Sequence, residues 1–294
     1  MEPTPQPDST PKPDAILKPD AIPNPLEHEA VIQKKGKTKR VYGKKNVRKQ
    51  SINKVNLSII GTNAAGIKSK IDSFFSVINI HKPSIVTVQE TKNTRSGLFK
   101  LPGYQTFEKV RKHKRGGGLL TAVDEDLNPV LISQCKDDIE ILVVEADIGA
   151  KKVRIINGYG PQEDDDIADV LGFWQEFELE VIRAKDDDCL ILIEMDANAK
   201  VGNKIIKGDP HEMSSNGKLL MDIIERQNLV LANSLELCKG IITRERLFEN
   251  KTEKSVIDYI VVCEELSRYL IEISIDEERI NVLSKKITKE VSFK

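Results

Sequence analysis

Residues Cys189–Asn203 read CLILIEMDANAKVGN. The segment begins as a short apolar run with the length and composition of a buried strand. It then ends on Glu194, Asp196 and Asn198, ahead of a small-residue turn through Ala199 and Gly202. Residues two apart in a strand face the same side, so these three polar groups are expected to project one way where the strand leaves its sheet. Adjacent carboxylates repel and desolvate poorly, and they need a cation or a proton between them. A polar loop closed by an Asx-turn would finish a strand with the same residue types.

Other strand ends repeat the pattern. SIVTVQET ends on Gln89, Glu90 and Thr91, LSIIGTNAAG on Asn63, and VRIINGYGPQ on Tyr159, while SVIDYIVV carries Asp258 inside an apolar strand. Each is ordinary alone. Together they gather oxygen donors at strand ends in a chain with four histidines, a set that favours a hard cation, Mg²⁺ or Mn²⁺, over zinc.

The chain has 294 residues, 31% charged and 39% apolar, which suits a globular domain with polar tails. No apolar run approaches the length that spans a bilayer, and the proline-rich start is not a secretory signal. Cys135, Cys189, Cys238 and Cys263 are widely spaced and form no CxxC. Buried free thiols in a reducing compartment, nuclear or cytoplasmic, are therefore expected. Residues 1–50 hold 11 Lys/Arg and 6 Asp/Glu, and residues 51–294 hold 34 and 40. A basic tail precedes an acidic body.

Three regions follow. Residues 1–33 are a proline-rich leader containing KPDAILKPDAI, too poor in large apolar residues to fold. Residues 34–53 form a basic linker, readable as a phosphate-binding run, a nuclear import address or a solvated spacer. Residues 54–294 form a single domain. Its strands are expected at 55–61, 84–90, 104–110, 117–123, 128–134, 139–148, 151–159, 189–195, 229–232 and 255–262. Helices are expected at 67–80, with Ile67, Ile71, Phe74 and Ile78 on one face, at 166–184, and near 216–228. Trp174 and Phe177 read as core. Mixed pairing with interspersed helices implies an α+β sandwich rather than a purely parallel sheet.

The order TNAAGI, VQET, NGYGPQ, MDANAKVG and SVIDYI resembles the endonuclease/exonuclease/phosphatase superfamily, the deoxyribonuclease I-like fold. RGGGLLTAV (115–123), SNGKLLMDIIERQNLVLANS (215–234) and TRER (243–246) resemble its non-LTR retrotransposon endonuclease branch. The likeness covers about residues 54–265 and implies a four-layered αββα sandwich of two packed mixed sheets. It implies metal-dependent phosphodiester hydrolysis, most simply DNA nicking. By the same resemblance Glu90 is the principal metal ligand with Asn63 beside it, and Tyr159 bonds a phosphate oxygen. Asp196 handles the proton of water or leaving group, Asn198 orients the phosphate, and Asp258 supports the site. The alternatives are a catalytically inactive nucleic-acid-binding remnant and a phosphatase of the same superfamily.

Two departures from the family pattern stand out. Glu194 replaces the usual glycine, as EMDAN against GDFN, and could face outward or repel phosphate from the site. The family also carries Ser-Asp-His on a closing strand, whereas this chain runs EERINVLSKKITKEVSFK. None of His28, His81, His113 and His211 lies in that context. The final strand is therefore expected to be lacking, leaving a sheet edge unpaired.

KVRKHKRGGG (109–118) gathers Lys109, Arg111, Lys112, Lys114 and Arg115 as expected contacts to a DNA backbone. A solvated hairpin loop is the alternative. His113 is the histidine best placed to touch a phosphate. The acidic runs 163–166 and 186–188 read as helix-start and loop charges. DNA is the expected partner, with no membrane and no small-molecule cofactor; the sequence does not set an oligomeric state.

Overall fold

The computed structural model describes residues 57–97, 99–112, 116–136, 138–248, 251–277 and 289–293. The expected leader and basic linker lie outside the described residues.

Two sheets form the body. The first contains β1 (Leu57–Asn63), β2 (Ile85–Gln89), β3 (Tyr104–Lys109) and β4 (Leu119–Asp124). The second is built from β5 (Val130–Ser133), β6 (Ile141–Ile148), β7 (Lys151–Tyr159), β8 (Leu190–Asp196) and β9 (Leu229–Leu231). The short β10 (Cys238–Lys239) returns to the first sheet, β11 (Arg244–Phe248) and β12 (Lys251–Ser255) form a separate hairpin, and β13 (Asp258–Cys263) joins the second sheet. Finally, β14 (Leu270–Ile275) and β15 (Lys289–Phe293) complete the first, whose order is β10-β14-β15-β1-β2-β4-β3. The second runs β5-β6-β7-β8-β13-β9. Both mix parallel and antiparallel pairs: β1 with β2 and β7 with β8 are parallel, the other long pairs antiparallel.

Period-two alternation sorts these strands into layers. Leu57, Ile59 and Ile85 of the first sheet pack against Leu142, Val144, Ile155, Leu192 and Ile260 of the second. The opposite faces, Ile60, Val86, Val88 and Leu120, pack on Phe74, Val77 and Ile78 of α1 (Ile71–His81). Ile156, Ile193 and Val261 lie under α2 (Ile167–Asp186) and α3 (Ser215–Arg226). Each helix starts or stops on a local signal. Asp166 caps α2 by accepting from Ala168 N–H, Ser214 caps α3 by accepting from Gly217 N–H, and Lys82, with φ +45°, ends α1. A further one-turn helix, α4 (Glu264–Ser267), follows β13. The result is the four-layered αββα sandwich. Trp174 and Phe177 are core residues, 2% and 0% exposed. No described helix is long and apolar enough to cross a membrane. The four cysteines are free, but each is partly exposed rather than buried as expected.

The expected loss of the final strand is corrected as well. The closing strand is present: β15 lies between β14 and β1 and pairs antiparallel with both, Phe293 beside Leu57 and Lys289 beside Gly61. KEVSF is short and half polar, so it carries little strand signal of its own. Two flanking edges supply the backbone partners that define it.

Candidate active site

The expected residues come together where the strands of both sheets end. Asn63 closes β1 on its intersheet face, 0% exposed. Its side-chain amide donates to Glu90 Oε1 at 2.9 Å and to Asp196 Oδ2 at 2.6 Å, while its Oδ1 accepts from Ala65 N–H at 3.0 Å. A single carboxamide thus bridges two carboxylates from different sheets, and its third bond fixes which end faces them.

Glu90 follows the last residue of β2. Continued alternation would turn it towards α1. Instead its backbone is left-handed, φ +49°, a region non-glycine residues enter at a cost and one that clusters at functional sites. The turn delivers its carboxylate to Asn63, to the Tyr159 hydroxyl, which donates at 3.2 Å, and to Lys92 Nζ at 3.4 Å. Tyr159 ends β7 on the intersheet face.

Asp196 ends β8 and Asp258 begins β13. The two are direct cross-strand neighbours, both about 1% exposed or less, on the same face. Carboxylates paired in this way hold their Cβ atoms about 4.5–5.5 Å apart and destabilise the sheet. Local bonds hold them there regardless. Thr243 Oγ1 accepts from the N–H groups of Ile257 and Asp258, and Asn233 grips Ile260 N–H at 2.7 Å. The buried Tyr259 hydroxyl, its pKa raised well above the ordinary value by burial, reaches the carbonyls of Ala199 and Val256. Asn198 lies past the strand end with φ +46°. Its N–H donates to Asp196 Oδ1 at 3.2 Å and its side chain to the Gly160 carbonyl at 2.8 Å, tying the Asp196 turn to the Tyr159 segment.

Glu194 neither faces outward nor enters the site. It is 1% exposed, one pleat deeper than Asp196, between the sheets. Thr87 Oγ1 donates to it at 2.5 Å and Gln89 Nε2 at 2.6 Å. Gln89 also donates to Asn157, whose own amide donates to the Leu120 carbonyl and to Thr121 Oγ1. Gly61 makes room for this carboxylate, since a Cβ there would lie 2.3 Å from its carbon. Sequence reasoning missed Thr87, Gln89 and Asn157 as a group. The signal was three polar residues on the inward-facing register of two otherwise apolar strands, Thr87 and Gln89 on β2 and Asn157 on β7.

The basic stretch divides. Lys109, expected to contact DNA, is 4% exposed, and its ammonium donates to the carbonyls of Gln134 and Lys136. It holds the β5–β6 loop and does not reach solvent. Arg111 is ion-paired with Glu140 and lies 5.6 Å from the Tyr159 ring centre, beside the site. Burial pushes the Glu140 carboxyl up, opposed by Arg111. Lys112 is exposed, whereas His113, Lys114 and Arg115 lie outside the described residues. His81 ends α1 and the His211 ring contacts the Lys254 carbonyl; neither bonds the carboxylate cluster in the contacts above.

By residue type, Glu90, Asp196 and Asp258 are the hard oxygen donors that Mg²⁺ or Mn²⁺ prefers, whereas Asn63 turns its amide N–H, not its oxygen, towards Glu90 and Asp196. Among the described residues, the group whose ligand atoms lie within 4.8 Å of one another is Cys135, Glu176 and Glu180.

No protein-family model and no curated protein matches the chain. Solved structures do. The endonuclease domain of TRAS1, a telomere-specific non-LTR retrotransposon, superimposes with TM-score 0.64 at 18% identity, over 81% of this chain and 98% of that one. The AP endonuclease LMAP from Leishmania major gives 0.66 at 14% identity, over 81% and 88%. The 3′ phosphatase NExo from Neisseria, bound to product DNA hairpin, gives 0.63 at 15% identity, over 81% and 99%. The fold of this chain is therefore the αββα sandwich that these solved structures share, the deoxyribonuclease I-like fold.

Proposed function

We propose that this protein hydrolyses phosphodiester bonds in DNA with a divalent cation, Mg²⁺ or Mn²⁺, as a nicking endonuclease. The observation that carries the reading is the Asn63 amide shared between Glu90 and Asp196, with Asp258 across the strand from Asp196. Like charges gathered in this way, and held by a strained Glu90 backbone, favour a cation among them. Glu90 would hold the ion, with Asp258 adding negative charge beside Asp196. When bound, the ion neutralises charge developing on the phosphoryl and leaving oxygens. Asp196 accepts the proton of the attacking water, the Tyr159 hydroxyl donates to a phosphate oxygen, and Asn63 and Asn198 keep both in register.

The test is nicking of supercoiled plasmid by purified protein. Mg²⁺-dependent conversion to open circles is expected, abolished by chelation and by Glu90→Gln. Equal nicking by both proteins would overturn the role of Glu90.

A second reading, a nucleic-acid binder without turnover, is favoured by one observation. No histidine occurs between the IDYI strand and the closing strand, where the family resemblance expects Asp-His. Salt-sensitive DNA binding without metal-dependent nicking at any pH would select it.

A further inference from the structure

A second group of donors shares no residue with the carboxylate cluster. The loop between β5 and β6 brings Cys135 against α2, where Glu176 and Glu180 stand one turn apart on one helix face. The Cys135 thiol lies 3.9 Å from Glu176 Oε1 and 3.6 Å from Glu180 Oε1, and all three donor atoms lie within 4.8 Å of one another. A tetrahedral ion with sulfur at about 2.3 Å and oxygen at about 2.1 Å holds those two ligand atoms about 3.6 Å apart. The spacing present is that of neighbouring corners around such an ion. The loop backbone sets the thiol there. Cys135 is left-handed, φ +49°, and its N–H donates to Ser133 Oγ at 3.1 Å. The Gln134 and Lys136 carbonyls on either side accept from the Lys109 ammonium. The loop thus gives its carbonyls to Lys109 and its thiol to the helix.

Two acids beside a cysteine do not make a site by proximity alone. The independent observation is Glu180, which is 0% exposed and whose Oε2 has no hydrogen-bond partner among the described residues. A buried carboxylate with one oxygen unmet is costly, and the residues buried with it on α2 are otherwise apolar, Phe173, Trp174, Phe177 and Val181 among them. Arg183 bonds Glu176 and Glu180 through one nitrogen, at 3.1 Å and 2.7 Å, from a half-exposed side chain. It brings one positive charge to two negative ones. A divalent ion supplies what is missing, and with the thiol ionised the three ligands balance the ion and Arg183 together. Burial first, and the carboxylates after it, push the Cys135 thiol up to about 11. The thiol therefore keeps its proton until an ion displaces it: the S–H bond breaks, its electron pair goes to the metal, and the proton leaves to solvent. Sulfur together with carboxylate selects a borderline cation over Mg²⁺. We infer that Cys135, Glu176 and Glu180 form a site for a zinc-class divalent cation, which clamps the β5–β6 loop to α2 and leaves a fourth position for water.

Cobalt(II) is the probe, because thiolate–cobalt charge transfer absorbs in the near ultraviolet and the Glu90, Asp196 and Asp258 cluster contains no sulfur. Full-length protein, kept reduced with a phosphine, is titrated with Co²⁺ in excess Mg²⁺. A band that saturates at a single equivalent is expected, bleached by competing Zn²⁺, lost in Cys135→Ser and retained in Cys189→Ser. Glu176→Gln, at the partly exposed ligand, should weaken cobalt binding by about ten-fold or more. If Cys135→Ser fails to fold, the wild-type protein decides: Zn²⁺ should block alkylation of Cys135, followed by peptide mass spectrometry, while Cys238 stays reactive. Absence of the band in the wild type, its survival in Cys135→Ser, its loss in Cys189→Ser, or alkylation of Cys135 undiminished by Zn²⁺ would each overturn the site. Plasmid nicking in Mg²⁺ reports on the hydrolytic reading and leaves this one untouched.

Discussion

Two acidic residues one pleat apart on β8 have opposite surroundings. Glu194 is closed in by neutral donors, Thr87 and Gln89, with Gly61 clearing space for it. Asp196 faces another aspartate across the strand and shares one amide with Glu90. The first carboxylate takes both of these donors on one oxygen, Oε2, and is part of the packing between the sheets. The second belongs to a group of like charges that the protein brings together. Burial alone does not distinguish them, as both are 1% exposed or less. The distinction lies in the sign and character of the nearest groups.

The contrast can be broken by substitution. The largest effect is expected at the mouth: Asp196→Asn or Glu90→Gln should lower metal-dependent nicking by about 10²–10⁴, the usual scale for a positioned acid–base group, with no loss of melting temperature. Glu194→Gln should keep nicking within a few-fold, and a loss matching that of Asp196→Asn would erase the distinction. Next, Mg²⁺ or Mn²⁺ should stabilise the wild-type protein by about 2.7 kcal/mol at a concentration one hundred times its dissociation constant, read from thermal melts, and should not stabilise Glu90→Gln. Glu194→Ala orphans two buried donors and should cost about 1–3 kcal/mol in urea unfolding. Gly61→Ala should cost a similar ~1–3 kcal/mol through overpacking, and the double variant should cost less than the sum of the two if these residues share one space. The smallest effect serves as a surface reference. Arg226 bonds Glu178 at 2.8 Å and 3.0 Å and holds its carboxyl below the usual range. A depressed carboxylate contributes stability present above its unfolded pKa of about 4.3 and lost as pH falls through the folded value. Arg226→Ala should therefore flatten that acid slope and leave stability near neutral pH close to that of the wild type.

Much of this was legible in the sequence where periodicity and strand ends carried it. The run 189–195 lies within one residue of β8, and 151–159 matches β7 at both ends. On α1 the expected face holds for Phe74 and Ile78, Ile71 is only partly buried, and Ile67 is buried but lies ahead of the helix, which starts at Ile71 rather than at 67. Asn63, Tyr159, Asp196 and Asp258 converge because each sits at a strand terminus on the intersheet side, and Glu90 reaches them from just past β2 through its left-handed turn. Asn198 joins them through the backbone rather than by strand alternation, and its left-handed φ is not readable from residue type. Lys109 was misjudged because a basic run reads as solvated, whereas carbonyls distant in sequence claim this one ammonium. Glu194 was ambiguous because its partners come from β2, in the other sheet. Strands β10, β11, β12 and β15 escaped because short polar segments take their conformation from neighbours, whereas β14, LIEISI, carries the period-two alternation of a half-buried strand and was legible.

The last of these has a kinetic consequence. β15 divides β14 from β1, so the first sheet stays in two pieces, each with a raw edge, until residues 289–293 slot between them. Contacts spanning nearly the whole described chain form slowly. A species awaiting that insertion would offer two open strand edges to any passing extended chain, a natural starting point for self-association during refolding.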